Sequence, residues 1–379
     1  MTRHATSEVM HRWGSELGFT LAEVMIALAI STILAVAGYS ILISSDKSTR
    51  ANEQIVGTQH NVRMAMELIS RDIKLAGFRM PQAPNAPVGG TAGNCSASGT
   101  PTAIRPVDKV STTSVAPNDD GADTLSLVVP KTMPGWTLSA VVPSGTSSFN
   151  ALTLSTTAVA DMKTDGMADG SGAYISIGGV VAGQVTTSSG STINLANTYN
   201  LPMTFAAGTQ VYLLQCVTYS VGTTTAACGT DGPCLLRTVD TGTAPATTTN
   251  IVDGIEDIQF ALACDGCNNT VKSGVPDGVV DDWNGNNQFD TGDWQTNRVW
   301  APLTFNPATI RLVEVNIVSR QTSADLGTGE GQKAGIQTAA PLTVSDHLHS
   351  NDPGYSLATY QQFRRRLLTR AVAARNIEQ

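Results

Sequence analysis

The stretch that decides the fold is residues 18–43, which read GFTLAEVMIALAISTILAVAGYSILI. From Val24 to Ile43 this stretch carries no charged side chain. At a helical rise of about 1.5 Å per residue the uncharged run spans about 30 Å, which is the thickness of the apolar core of a bilayer. Glu23 stands at the edge of the run, and a carboxylate at membrane depth costs about 2.5–3.5 kcal/mol. The sequence therefore predicts a membrane-spanning helix whose one acidic side chain needs a partner.

The residues before the apolar run suggest where that partner comes from. Residues 1–18 are polar and end in Gly18, so the small residue suited to cleavage precedes the apolar run, whereas a secretory signal is cut after it. The arrangement resembles the type IV prepilin signal: a Gly, then Phe-Thr-Leu-x-Glu, then an apolar helix. The resemblance implies that a prepilin peptidase cleaves between Gly18 and Phe19 and methylates Phe19, and that Glu23 neutralises the α-amine of a neighbouring subunit. The alternative is a plain signal anchor.

The helix is expected to continue beyond the membrane. Val62, Met66, Ile69 and Ile73 follow one another at spacings of four, three and four residues, which places them on one face of a helix. Gly77 is a suitable C-cap. We therefore predict a helix that spans the membrane with residues 19–45 and packs an amphipathic half, residues 46–78, on a globular head. Residues 66–78 resemble the end of this helix in PilW-type minor pilins and in the J-type pseudopilins of type II secretion.

The head, residues 79–379, is predicted to be rich in antiparallel β-structure, which makes the fold class α+β. Residues 79–120 are punctuated by Pro and Gly and are expected to be irregular. Short runs rich in Val, Ile and Leu then alternate with Gly/Ser turns, which is typical of hairpins. These predicted strands are Thr124–Val129, Leu152–Ser155, Ala173–Ile177, Val180–Thr186, Thr192–Leu195, Val211–Val217 and Cys234–Val239. Two further strands, around Phe260 and Val315, alternate apolar and polar residues, so each is expected to have one buried face.

Composition narrows the function classes. The 379 residues carry a net charge of −8 and only 14% charged residues, and no basic cluster occurs before the C-terminus, so we predict no nucleic-acid binding. Motifs for a serine hydrolase, a phosphate-binding loop or a zinc protease do not occur in the sequence. We therefore expect a structural protein and not an enzyme.

Six cysteines in an exported protein favour disulfides. Local spacing favours Cys228–Cys234 and Cys264–Cys267, and elimination leaves Cys95–Cys216. Cys264 and Cys267 could instead form a redox pair or half of a zinc site, although Asp-Gly between them and two Asn after them indicate a turn.

An acidic loop at residues 277–293 predicts a calcium site. Starting from Asp282, side-chain oxygens occur at positions 1, 3, 5, 9 and 12 of an EF-type loop, and Gln288 falls at position 7, where such a loop uses a backbone carbonyl. The predicted ligands are Asp282, Asn284, Asn286, Gln288, Asp290 and Asp293. Asn287 stands where Gly is usual, and Asp277 or Asp281 could replace one ligand. The alternative is a solvated acidic turn.

Three further sequence features lie near the C-terminus. His347-x-His349 could bind a metal, but a solvent-exposed loop is expected. The run Arg364-Arg365-Arg366 is expected to be the solvated face of an edge strand. Residues 363–377 resemble the closing strand of PilW-type proteins.

Together these features predict a PilW-like minor pilin that helps to initiate or assemble a type IV pilus at or near its tip. Its expected partners are the prepilin peptidase, other minor pilins and the major pilin. Before assembly it would lie in the inner membrane with a periplasmic head, and afterwards in the extracellular pilus. Two alternatives stay open: a J-type pseudopilin, and a tip adhesin suggested by Trp283, Trp294 and Trp300.

Overall fold

The computed structural model describes most of the chain after Gly18. The described residues are 19–80, 95–97, 100–107, 121–145, 149–170, 173–199, 201, 203–229, 232–241, 246–266, 275–296, 309–324, 341–352 and 354–377. Gly18, Cys267 and Trp300 therefore lie outside the described residues. The described chain divides into two compact units with the boundary between Glu53 and Gln54.

The first unit is the apolar part of helix α1, which runs over Leu21–Leu75 in total. No Pro interrupts this range, and most of its first half consists of residues with high helix propensity or apolar side chains. Large apolar side chains such as Leu28, Ile33 and Val36 are 60–70% exposed. This helix is long and apolar enough to cross a membrane, judged by its length and composition.

The second unit contains the rest of α1 and the β-rich head. The predicted apolar stripe of α1 is confirmed, because Val62, Met66, Ile69 and Ile73 are all buried. The helix ends where the sequence predicted: Gly77 has φ +74°, which favours Gly, and its amide donates to the Val128 carbonyl at 2.9 Å.

The head is built mainly from strands. They are β1 (Ser96–Ala97), β2 (Thr100–Pro101), β3 (Ile104–Val107), β4 (Thr124–Pro130), β5 (Trp136–Thr137), β6 (Phe149–Thr153), β7 (Tyr174–Ile177), β8 (Val181–Ser189), β9 (Thr192–Tyr199), β10 (Gln210–Gly222), β11 (Cys234–Asp240), β12 (Thr247–Asp253), β13 (Ile255–Cys264), β14 (Ile310–Arg320), β15 (Thr343–Val344), β16 (His347–Leu348) and β17 (Arg365–Ala373). Short helices α2 (Thr156–Thr164), α3 (Thr225–Cys228) and α4 (Leu357–Tyr360) and a 3-10 turn (His349–Asn351) complete the described elements. The fold class is α+β, as predicted.

All strand pairings in the described ranges are antiparallel, and they form two main sheets. The larger sheet has ten described strands, with the path β12-β11-β10-β7-β8-β9-β6; β3, β4 and β5 join it through β4 and β10. The smaller sheet has the order β13-β14-β17. In it Val315 lies opposite both Phe260 and Arg370, so β14 is the central strand.

The main core joins the helix to both sheets. Ile69 and Ile73 of α1, Tyr219 of β10, Phe260 of β13 and Val315 of β14 belong to one cluster of buried side chains. A second cluster, which includes Met162 of α2, fills the space under β6–β9. The C-terminal end of α1 is thus part of the core of the head.

Two of the favoured cysteine pairs are present. Disulfides join Cys95 to Cys216 and Cys228 to Cys234. Cys264 is disulfide-bonded as well, and its predicted partner Cys267 lies outside the described residues.

Several local predictions were wrong. Residues 79–120 were expected to be irregular, but β3 pairs with β4 and places Ile104 opposite Leu127. Helix α2 was missed, although Ser155, at the end of a predicted strand, is its N-cap and accepts from the amide of Ala158 at 3.0 Å. Ser followed by Thr and Ala is a signal for a helix start that the strand interpretation overlooked.

Candidate functional site

The amino end of α1 is closed by a reciprocal pair of hydrogen bonds. The amide and the hydroxyl of Thr20 donate to Oε2 of Glu23 at 2.9 and 3.0 Å, and the amide of Glu23 donates to the Thr20 hydroxyl at 3.3 Å. This is a capping box, in which the side chains before and inside the first turn satisfy amide groups that have no helical partner. The sequence analysis missed it, although Thr-x-x-Glu before an apolar run is its signature. The bonds turn the Glu23 carboxylate back toward the residue that precedes Thr20.

That residue is Phe19, the predicted mature N-terminus. Its side chain is 87% exposed. The Glu23 carboxylate accepts from the amide of Thr20, the residue that directly follows Phe19. Processing at Gly18, methylation of Phe19 and docking through Glu23 stay predictions.

The acidic loop brings the predicted calcium ligands together. Asp282 accepts from the amides of Gly285, Asn286 and Asn287, and Asp293 Oδ1 accepts from the amides of Trp283 and Asn284 at 2.7 and 3.1 Å. Asp290 accepts from the Asn284 and Asn286 side-chain amides at 2.9 and 2.6 Å. Asn287 has φ +65°, the conformation that an EF-type loop requires at this position.

The carboxylates of this loop are therefore solvated by its own N–H groups. The Gly292 amide, followed by the Asn286 side chain, lowers the pKa of the Asp290 carboxyl. The Gln288 side chain is exposed and makes no hydrogen bond to the described residues. The loop shares a positive φ at its sixth position with an EF-type loop, and calcium binding stays a prediction.

The alternative ligands Asp277 and Asp281 lie at the base of the loop. Asp281 Oδ2 accepts from the Gly266 amide at 3.0 Å, and Asp277 Oδ1 accepts from the amide of Val279 at 2.9 Å. The Asp281 carboxylate thus joins the loop to the residues that follow β13, whereas the Asp277 carboxylate closes a turn within the loop. Trp294, which suggested an adhesive surface, packs edge-on against Phe289 at 5.3 Å between ring centroids, and Trp283 is half-buried.

The buried base of the loop is organised by Asp265. Its Oδ1 accepts from the amide of Asp277 at 2.8 Å, and its Oδ2 accepts from the Gly278 amide at 3.0 Å and from Arg311 at 3.1 Å. Burial raises the pKa of the Asp265 carboxyl, but these hydrogen bonds and the guanidinium more than reverse that effect, so its pKa lies below the ordinary value. Sequence analysis did not single out Asp265.

The expectation of a solvent loop at His347-x-His349 was wrong. His347 and His349 are 1% and 2% exposed and lie beside Asp257, which is 1% exposed. His347 Nδ1 is 2.9 Å from Asp257 Oδ2, and its Nε2 is 2.8 Å from Asp352 Oδ1. Burial lowers the pKa of His347, but the hydrogen bonds and charges of Asp257 and Asp352 raise it to about 10. The two histidines were judged from their polar neighbours in sequence, whereas the partner that buries them is 90 residues upstream.

The arginine run also differs from the expectation in part. β17 is an edge strand of the smaller sheet in the described residues, as predicted, and Arg366 is exposed. Arg365 is not solvated: it pairs with both carboxylate oxygens of Glu256 at 2.5 and 2.8 Å, and its guanidinium lies 3.5 Å from the centre of the Tyr360 ring. Its side chain is only 4% exposed. The middle arginine therefore has a structural role.

Two family models match the chain. The model described as Type IV Pilus-assembly protein W, PilW, matches residues 218–376, and the model described as Prokaryotic N-terminal methylation motif matches residues 14–39. No curated protein and no solved structure matches this chain. The second match contains Phe19 and Glu23, and the first begins within β10 and continues through β17. These two matches support a PilW-type pilin with a prepilin signal.

Proposed function

We propose that this pilin is a structural minor subunit that takes part in the initiation and assembly of a type IV pilus after cleavage between Gly18 and Phe19. The observation that carries the proposal is the amino end of α1, where an acidic side chain directed back toward residue 19 precedes an uncharged run of membrane length. The coarser pilus-related assignment rests on the two family matches.

The exposed apolar face supports assembly through the helix. Side chains from Leu28 to Ile41 are exposed all round the helix in the isolated subunit, and such a surface requires lipid or the helices of other subunits. The proposed sequence of environments is the inner membrane, with the head in the periplasm, followed by the core of the pilus. The proposed partners are other minor pilins and the major pilin.

Glu23 would select the position of the subunit in the assembly. In a low-dielectric environment a carboxylate and an amine attract strongly, and each is unfavourable alone. Among the described residues of its own chain Glu23 accepts only from Thr20. The methylated amine of a neighbouring subunit's first residue would therefore be its charged partner.

The capping box allows the charge of Glu23 to be tested apart from its role in the helix. Glu23→Gln keeps an N3 side chain that can cap, whereas Thr20→Ala removes the capping hydroxyl and leaves the charge. We expect Glu23→Gln to insert into the membrane normally and to lose incorporation into pili and copurification with other minor pilins. Thr20→Ala should retain both, with helix destabilisation of about 1 kcal/mol.

The measurements are mass spectrometry of the N-terminus and immunoblots of sheared pili. The wild-type protein should begin at methylated Phe19, and Gly18→Arg should leave the full-length precursor in the membrane. A mature chain that starts after residue 30 would refute the pilin assignment at the N-terminus. Normal incorporation of Glu23→Gln into pili would refute the charge pairing of Glu23 but not the pilin assignment.

A further inference from the structure

We propose that Asp257, His347 and His349 form a binding site for a divalent transition-metal ion, and that zinc suits it best. Asp257 Oδ2, His347 Nδ1 and His349 Nε2 all lie within 4.8 Å of one another, and the three residues are buried. Two imidazoles and one carboxylate are a ligand set typical of zinc sites.

The orphaned atom in this cluster is Nε2 of His349. His349 Nδ1 is 3.2 Å from the Leu342 carbonyl oxygen, which can only accept, so Nδ1 carries the hydrogen. The neutral ring then presents a lone pair at Nε2. This atom is buried without a hydrogen-bond partner among the described residues, and it lies 3.8 Å from Asp257 Oδ2. A lone pair that faces a carboxylate oxygen in a buried site is repelled by it, and a cation between the two atoms removes the repulsion.

His347 is held in the orientation that a ligand needs. Its Nε2 is hydrogen-bonded to Asp352 at 2.8 Å, and its Nδ1 is directed at Asp257 Oδ2, where a metal ion would displace the Nδ1 proton. A carboxylate behind a histidine, on the nitrogen that does not bind metal, is the usual outer partner in zinc sites, because it fixes the tautomer and raises the basicity of the ligand.

Asp257 is oriented in the same way. Its Oδ1 accepts from the Gln259 side-chain amide at 3.0 Å, so Oδ2 is the oxygen left for a metal. Gln259 is itself buried and also donates to the carbonyl of Gly121 at 3.1 Å. Each proposed ligand therefore has a further hydrogen-bond partner: Asp352 for His347, Leu342 for His349 and Gln259 for Asp257.

The spacing fits a tetrahedral ion after small movements. With metal–ligand bonds of about 2.0–2.1 Å, tetrahedral ligand atoms lie about 3.3 Å apart. The two measured distances to Asp257 Oδ2, 2.9 and 3.8 Å, lie on either side of that value. Three protein ligands leave the fourth position for water.

The site would tie the segment 341–352 to the smaller sheet. Asp257 lies on β13 beside a register shift, whereas His347 and His349 lie on β16 and the 3-10 turn that follows it. All three residues fall within the part of the chain that the PilW model matches. A bound ion would therefore stabilise the head, independently of the acidic loop at 282–293.

The test uses the untagged full chain in detergent, stripped with EDTA and titrated with Zn²⁺ by calorimetry. The key variant is His349→Asn, since the Asn amide nitrogen can replace Nδ1 as donor to Leu342 while Nε2 is lost. We expect wild type to bind one Zn²⁺ per chain, His349→Asn to bind at least 100-fold more weakly, and the exposed control His60→Asn to bind as wild type does. Zn²⁺ should raise the melting temperature of wild type and of His60→Asn only.

A second measurement covers failure of the variant to fold. Co²⁺ bound to wild type should give the intense visible absorption of a tetrahedral nitrogen–oxygen site, which Zn²⁺ abolishes by displacement. Equal Zn²⁺ affinity in folded His349→Asn, or a wild type that neither binds Zn²⁺ at micromolar concentration nor shows the Co²⁺ bands, would overturn the proposal. The cluster would then be an ion pair in which protonated histidines face Asp257.

Discussion

Removal of the Asp72 carboxylate should destabilise the head more than removal of any exposed charge. Asp72 lies near the C-terminal end of α1, and its side chain is 2% exposed. Its Oδ2 accepts from the Tyr219 hydroxyl at 2.6 Å and from Arg237 at 3.1 Å. Burial, together with the negative charge of Asp72, raises the pKa of the Tyr219 hydroxyl, so Tyr219 stays a donor at every physiological pH.

The magnitude follows from what the substitution leaves behind. Asp72→Ala leaves the Arg237 guanidinium, which is 20% exposed, without its charge partner, and Tyr219 without its acceptor. Breaking a buried ion pair by removing one partner costs about 3–5 kcal/mol. Asp72→Asn keeps the acceptor for Tyr219 and loses only the charge, so we expect about 1.5–3 kcal/mol, the range for a hydrogen bond to a charged group.

The assay is urea unfolding of the full chain in detergent, followed by tryptophan fluorescence. With a slope of about 3 kcal/mol/M, a loss of about 4 kcal/mol lowers the midpoint by more than 1 M. The matched control is Lys163→Ala, which removes an ion pair to Asp169 whose two side chains are 45% and 42% exposed, and which should cost less than about 1 kcal/mol. If Asp72→Ala shifts the midpoint no more than Lys163→Ala does, the contacts of Asp72 with Tyr219 and Arg237 do not hold α1 to the larger sheet.

Two further predictions concern the acidic loop. If it binds calcium, millimolar Ca²⁺ should raise the melting temperature of the wild-type chain relative to EDTA, since an ion that binds only the folded state stabilises it. Asp282→Ala and Asp290→Ala should abolish this rise. If calcium neither changes the wild-type melting temperature nor binds in calorimetry, the loop is a solvated turn. The second prediction concerns Asp265, whose pKa is depressed by its hydrogen bonds and by Arg311. Its ionised carboxylate contributes to the free energy of unfolding above the unfolded pKa of about 3.9, and this contribution is lost as the pH falls through the lower folded pKa. Asp265→Asn should therefore be less stable at pH 7 and lose part of the acid sensitivity, whereas parallel stability curves for wild type and variant between pH 2 and 7 would contradict the assignment.

The features that sequence predicted well depend on local patterns. The uncharged run after Glu23 and the stripe from Val62 to Ile73 specify a helix by period alone, and Gly77 ends it because few other residues adopt a positive φ there. The turn at Asp282 is also local, because its carboxylate accepts from amides three to five residues further on, whereas calcium binding by the loop stays a prediction. Long-range partners were not accessible in this way: Asp72, Tyr219 and Arg237 meet only because α1, β10 and β11 pack together.

The histidine cluster shows why strand periodicity does not reveal which face meets water. In β13 the alternation of Ile258 and Phe260 with Asp257 and Gln259 was correctly interpreted as a strand, and the polar set was expected to be exposed. Both sets are buried: His347 is hydrogen-bonded to Asp257, and the Gln259 side-chain amide donates to Asp257 and to the Gly121 carbonyl. A buried carboxylate is tolerated only when it is paired. An Asp on a strand that is buried on both faces therefore implies a cationic partner elsewhere in the chain. His347-x-His349 was the candidate that the sequence offered, and the unsatisfied Nε2 of His349 is what turns that pairing into a metal site that can be tested.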